Sequence, residues 1–286
     1  MNYQWYPGHM TKAKRQMQED IKLIDLIIEV VDARIPISSR NPDIDELGKN
    51  KSRMVLLNKS DLADPKVNAE WVKYFEEAGI HALEIDSKAG KGLKAIQGMV
   101  AIACKEKIER DRKRGIVNRP VRAMVVGIPN VGKSTFINSF AGKACTKTGN
   151  KPGVTKGKQW IKLNKGLELL DTPGILWPKF EDQAIGMKLA FIGSINDEIL
   201  VPEELACDFI NFIQNVYPMA VNRHYGIEKD DLSGYDMLGE IALVRKCLVT
   251  GGEPDVTKAA KMLMDDFRAG RLGRITLERP EAKFNE

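Results

Sequence analysis

Residues 127–135, Gly-Ile-Pro-Asn-Val-Gly-Lys-Ser-Thr, constrain this chain more than any other stretch. They fit G-x-x-x-x-G-K-[ST], with Gly127, Gly132, Lys133 and Ser134 in register. The apolar run from Arg122 to Val126 reads as a buried strand leading in, and Thr135-Phe-Ile-Asn-Ser-Phe continues as a helix leading out. Glycines without a Cβ let the backbone N–H groups of Asn130, Val131, Gly132, Lys133, Ser134 and Thr135 turn onto a phosphate chain, at the positive end of the helix that starts there. Lys133 is then placed for the β and γ phosphates, and the Ser134 hydroxyl for Mg²⁺.

A second motif addresses the base. Met54-Val-Leu-Leu is a strand that runs into Asn58-Lys59-Ser60-Asp61. An N-K-x-D loop at a strand end presents the Asp61 carboxylate to the N1–H and N2–H₂ donors of guanine, the Asn58 amide to the far edge, and the Lys59 stem to the ring face. Adenine lacks that donor pair, so a site built this way rejects it by powers of ten. Taken alone, Asn-Lys-Ser-Asp is also an ordinary polar turn; the phosphate loop in the same chain gives it weight. Ala82 to Ile85 forms a third strand opening onto Asp86-Ser87-Lys88-Ala89-Gly90, whose backbone N–H groups can close over the purine. Downstream, the strand Leu167 to Leu170 ends in Asp171-Thr-Pro-Gly174. Asp171 can hold the Mg²⁺ shell through water, and the Gly174 N–H can sense a γ-phosphate. Between them, 142–158 is a long Gly- and Lys-rich segment containing Pro152-Gly-Val-Thr155, a candidate mobile functional loop.

The order of these motifs is unusual. The base-reading loop precedes the phosphate loop, followed by Thr155 as switch threonine and metal ligand, then D-x-x-G. Circular permutation of a compact sheet reconciles that order with one site, because a sheet with close termini can be reopened elsewhere without moving its strands. Alternating strands and amphipathic helices, such as Pro65 to Ala78 with Val67, Trp71 and Phe75 inward, predict an α/β fold with a mostly parallel sheet and helices on both faces, and the motifs and their order make it a circularly permuted P-loop GTPase.

Past Trp177-Pro178 the pattern turns helical, over 182–195, 202–217, 233–249 and 255–269. The expected division is a GTPase domain over 1–178 and a small all-helical RNA- or ribosome-binding domain over 179–286. Lys258, Lys261, Arg268, Arg271 and Arg274 suit phosphate backbones or, equally, a solvated face. The charged second half of a helix expected over 93–114 reads as a solvated face before a nucleic-acid patch. Four scattered cysteines without a C-x-x-C pair argue against a disulfide framework or zinc site and fit a reducing cytosol. Long apolar runs are broken by charge, as 24–31 is by Asp25 and Glu29, which argues against membrane spanning.

Trp5-Tyr-Pro-Gly-His9-Met, Asp32-Ala-Arg34, Asn58-Lys-Ser-Asp61, the 127–134 loop, Pro-Gly-Val-Thr155 and Asp171-Thr-Pro-Gly-Ile-Leu-Trp-Pro178 together resemble the ribosome biogenesis GTPase A family of circularly permuted GTPases. The resemblance spans the whole chain. It implies a cytoplasmic bacterial enzyme that converts GTP to GDP and phosphate with Mg²⁺, acting as a monomer late in maturation of the large ribosomal subunit. It would bind the precursor particle through rRNA, not DNA or membrane, be stimulated by that particle, and leave on hydrolysis. Ile175 stands where many GTPases carry a water-orienting glutamine, and the resemblance assigns that task to His9, which composition alone reads as a turn histidine. It also places K⁺ beside Asn130, supplying positive charge in place of an arginine finger. The Asp86-Ser87-Lys88 loop departs from the family's S-A-K form. A nucleotide-gated RNA-binding module and a small-molecule P-loop kinase are the competing readings.

Overall fold

The computed structural model describes residues 15, 17–117, 119–142, 159–164, 166–172 and 182–280. His9, Thr155, Gly174 and Ile175 lie outside the described residues, as does most of 142–158. Contacts divide the described chain into a sheet unit, 278–280 included, and a helical unit ending at Leu277.

In the sheet unit, β1 (Leu26–Asp32), β2 (Ser52–Asn58), β3 (His81–Glu84), β4 (Val121–Val126), β5 (Gln159–Asn164) and β6 (Leu167–Asp171) form one sheet ordered β3-β2-β1-β4-β6-β5. All neighbours run parallel except β5, which pairs antiparallel with β6. The near-continuous apolar character of β1, buried along its whole length, suits a strand covered on both faces. Helices α1 (Asp43–Leu47), α2 (Pro65–Glu77), α3 (Leu93–Ala103), α4 (Lys105–Lys113) and α5 (Lys133–Ala141) connect the strands. Asp64 caps α2 by accepting from Lys66 N (2.9 Å) with Pro65 in the first turn, and Val67, Trp71 and Phe75 bury one stripe of it against Val31, Val55, Leu57 and Ala82. A separate cluster of Ile24, Ile27, Ile44, Met124, Val126 and Leu170 fills another part of the core.

The sheet grows in opposite directions from the β1–β4 pair. Strands β2 and β3 extend it on the β1 side, whereas β6 and β5 extend it on the β4 side. That junction is a topological switch point, where open α/β sheets bind ligands at the carboxyl ends of their strands. Asp32, Asn58 and Asp171 close β1, β2 and β6 at that edge, and Gly127 comes directly after β4 there.

The single helix expected over 93–114 is two. The ladder breaks at Cys104 (φ −105°, ψ 15°), and the second helix places Lys107 against Asp111 (3.1 Å) and Asp25 (3.5 Å) with its side chain only 9% exposed. One lysine of the supposed solvated face is therefore a core contact, because a turn at Cys104 aims it back at the start of β1.

The helical unit comprises α6 (Gln183–Phe191), α7 (Pro202–Val216), α8 (Ala220–Tyr225), α9 (Gly234–Val244) and α10 (Val256–Arg268). Phe191, Phe209 and Phe267 meet ring to ring in its core, with centroids 5.2 and 4.6 Å apart along the chain of contacts. Gly234 lets α9 pass close to α7, since a Cβ there would lie 3.0 Å from the Cys207 Cα. α9 stops at Val244, short of the expected 249, because the Cys247 N–H turns back to the Ala242 carbonyl (2.8 Å) with Lys246 at φ 53°.

Arg268 is not available to a polyanion. Its guanidinium donates to the Phe191 and Ala190 carbonyls at the end of α6 (2.9 and 2.8 Å) and pairs twice with Asp197 (2.6 and 2.8 Å). Arg271 is engaged with the buried Asp266 (2.5 Å), whereas Lys258, Lys261 and Arg274 are exposed. Arg268→Ala is expected to cost about 1–3 kcal/mol of stability, the scale of hydrogen bonds made by a charged group, seen as a lower thermal midpoint with guanine-nucleotide affinity unchanged. A loss of affinity without loss of stability would contradict this structural role.

Candidate functional site

The phosphate loop, 127–134, and the Asn58–Asp61 segment meet. The Asn58 side-chain amide donates to the Val131 carbonyl (2.7 Å) and accepts from the Ser87 N–H (3.1 Å), so one buried residue ties 58–61, 86–90 and 127–134 together. Lys59 Nζ donates to the Asn130 carbonyl (2.6 Å) and pairs with Asp32 (3.0 Å). Partners 29 and 73 residues away from Asn58 in sequence thus form one cradle with it, because β2, β1 and β4 are side by side in the sheet.

The backbone is bent to make this possible. Lys59 and Asn130 sit at φ 58° and 65°, left-handed conformations that non-glycine residues seldom adopt and that concentrate at functional sites. Gly132 has φ 91°, and a Cβ there would lie 2.4 Å from Asn58 Nδ2. At Gly127 the added atom would lie 2.7 Å from the Val30 carbonyl. Those two glycines of the motif therefore have steric reasons to be glycine that are independent of any ligand.

Lys133 opens α5 with its side chain buried. Nζ lies 2.5 Å from Asp171 Oδ1 and donates to the Thr172 carbonyl. Burial pushes the lysine pKa down, and the Asp171 carboxylate opposes that shift. Thr172 in turn donates its hydroxyl to the Val125 carbonyl (2.8 Å), fixing the end of β6 against β4. Asp171 Oδ2 and Ser87 Oγ are buried without a hydrogen-bond partner. Such orphaned groups are costly in a folded protein, and a cation beside Asp171 would complete the set there. A carboxylate at 171 and a hydroxyl at 134 are hard oxygen donors of the kind Mg²⁺ takes, so the residues present fit that ion. The half-buried Ser134 begins the same helix turn as Lys133, and Thr135 comes next.

Asp61 and Lys88 are exposed at the rim, and neither contacts the phosphate loop through a described hydrogen bond. Asp86 shapes the third loop by accepting from the Lys88 and Ala89 N–H groups (2.9 Å each).

Sequence reasoning assigned Asp32 and Arg34 no role of their own. Arg34 is 1% exposed and grips Asp32 through Nε and Nη2 at 2.8 Å each. Burial would raise the Asp32 pKa, but the Arg34 and Lys59 cations outweigh it and hold the carboxyl well below the usual carboxylate range. The signal was present: an acid and an arginine two residues apart at the end of an apolar strand, aligned in register with Asn58.

Residues 122–236 match the family described as "50S ribosome-binding GTPase". The chain is 47% identical over 286 residues to ribosome biogenesis GTPase A of Bacillus cereus, covering 100% of this chain and 96% of that one. It is 48% identical over 281 residues to the same protein of Priestia megaterium, covering 98% of each. Among solved structures, the GDP-bound YlqF of T. maritima superposes with a TM-score of 0.67 at 28% identity, over 93% of this chain and 100% of the other. With its N-K-x-D segment ahead of its phosphate loop and both on one sheet edge, the chain belongs to the ribosome biogenesis GTPase A family of circularly permuted P-loop GTPases.

Proposed function

We propose that this protein is a GTP-hydrolysing assembly factor that binds a late precursor of the bacterial large ribosomal subunit in its GTP state and is released on hydrolysis. The observation that carries the reading is the convergence of Asn58 and Lys59 on the Val131 and Asn130 carbonyls, which fits a guanine next to a phosphate chain. Asp61 and Asn58 read the base, the Lys59 stem covers the ring, and Ser87 and Lys88 close the purine side. Lys133 and the N–H groups of 130–135 hold the β and γ phosphates at the start of α5. Ser134, Thr155 and Asp171 are the residues that would hold Mg²⁺, which when bound neutralises charge on the phosphates. His9 orients the attacking water in place of the glutamine that Ile175 replaces, the Gly174 N–H senses the γ-phosphate, and Asn130 contributes to a K⁺ site.

The helical unit supplies the rRNA contact through its exposed cations, Lys258, Lys261 and Arg274 among them. The protein acts as a cytoplasmic monomer without DNA or membrane partners; among the described residues no helix is long and apolar enough to cross a membrane. GTP turnover measured with and without large-subunit precursor particles tests the proposal. Turnover is expected to be slow alone and to rise several-fold with particles; equal rates would contradict the assembly role, and ATP competing as well as GTP would contradict the base assignment.

A further inference from the structure

We infer that Glu278 is a positioning residue for the guanine-nucleotide site, acting by clamping the loop after β1 that carries Arg34. Its carboxylate accepts from the backbone N–H of Ile37 (2.9 Å) and Ser38 (3.1 Å) and from the Ser38 hydroxyl. Its own carbonyl accepts from the Trp71 indole N–H (3.1 Å), which anchors it to α2. Glu278 and Ser38 are 9% and 3% exposed, so these are buried, charge-assisted bonds across 240 residues of sequence.

The clamped segment leads to the nucleotide loops in three steps. From Asp32 to Ser39 it is a compact turn: Asp32 N–H donates to Ser39 Oγ (3.0 Å), and the Ser39 N–H and hydroxyl donate to the Ile35 carbonyl (2.9 and 2.7 Å). Within it Arg34 grips both oxygens of Asp32, Asp32 pairs with Lys59 Nζ, and Lys59 Nζ reaches the Asn130 carbonyl. Lys59 has left-handed backbone and a flexible side chain, so its place depends on the carboxylate behind it. A loosened turn lets Arg34 and Asp32 shift, and the ammonium loses one of its two anchors. In this arrangement an acidic residue 220 positions beyond Asn58 in the chain is a part of the nucleotide site's support.

The inference rests on the guanine-nucleotide reading above, and the test separates the two. Dissociation of N-methylanthraniloyl-GDP in Mg²⁺ buffer is measured on the full chain for wild type, Glu278→Gln, Lys59→Met and the double variant. Glutamine keeps the shape and, with its carbonyl oxygen toward the two N–H groups and its NH₂ toward the Ser38 hydroxyl, exchanges charge-assisted bonds for neutral ones; Glu278→Asp, one methylene shorter, serves if glutamine does not fold. Glu278→Gln is expected to release nucleotide about tenfold faster in the wild-type background and to change little when Lys59 is methionine, because the effect passes through the ammonium. A purely structural glutamate would give equal factors in both backgrounds, which overturns the inference, as does an unchanged rate in the single variant. Wild type that does not bind the analogue overturns the nucleotide reading itself.

Discussion

Lys133→Ala is expected to lower GTP turnover by about 10²–10³-fold, the range seen when one preorganised donor to developing charge is removed. The size stems from where the ammonium sits. It is 6% exposed at the first turn of α5, so its charge acts at low dielectric beside the backbone N–H groups of that turn. The same variant is expected to be less stable by about 3–5 kcal/mol, because Asp171 is fully buried and Lys133 is its ion-pair partner. Steady-state hydrolysis and thermal unfolding read the two effects separately. Turnover within tenfold of wild type in Lys133→Ala would remove the lysine from the site.

How much of the fold and site is open to reading in the sequence depends on range. The 127–134 loop was legible because its chemistry is local: glycine geometry, a lysine and a hydroxyl on consecutive residues of one turn. Asn58 to Asp61 was legible by the same logic, and the reversed motif order implied the permuted sheet. The contacts that escaped are those made by residues whose partners are far along the chain. Nothing local tells that Asn58 spends its amide on the Val131 carbonyl and the Ser87 N–H, or that Lys107 turns inward at Cys104. Arg268 read as one cation of a basic run, and only packing shows that it caps α6. Glu278 carried no pattern, since its function is defined by a turn 240 residues earlier.

Gly132→Ala is expected to weaken guanine-nucleotide binding by about a hundredfold, on the order of 3 kcal/mol. Two effects combine. A residue with a side chain at φ 91° is strained by about 1–3 kcal/mol. The new methyl would also lie 2.4 Å from Asn58 Nδ2, and Asn58 cannot retreat without giving up the Val131 carbonyl and the Ser87 N–H at once. The strain alone would cost stability, whereas the displacement separates the base-reading loop from the phosphate loop. Gly142→Ala isolates the first effect: it has φ 66° with nothing among the described residues within 4 Å of the added Cβ. Calorimetric titration with GDP should therefore show Gly142→Ala binding like wild type and Gly132→Ala much weaker. Equal binding by the two variants would mean that contact between Asn58 and the phosphate loop contributes nothing to holding the nucleotide.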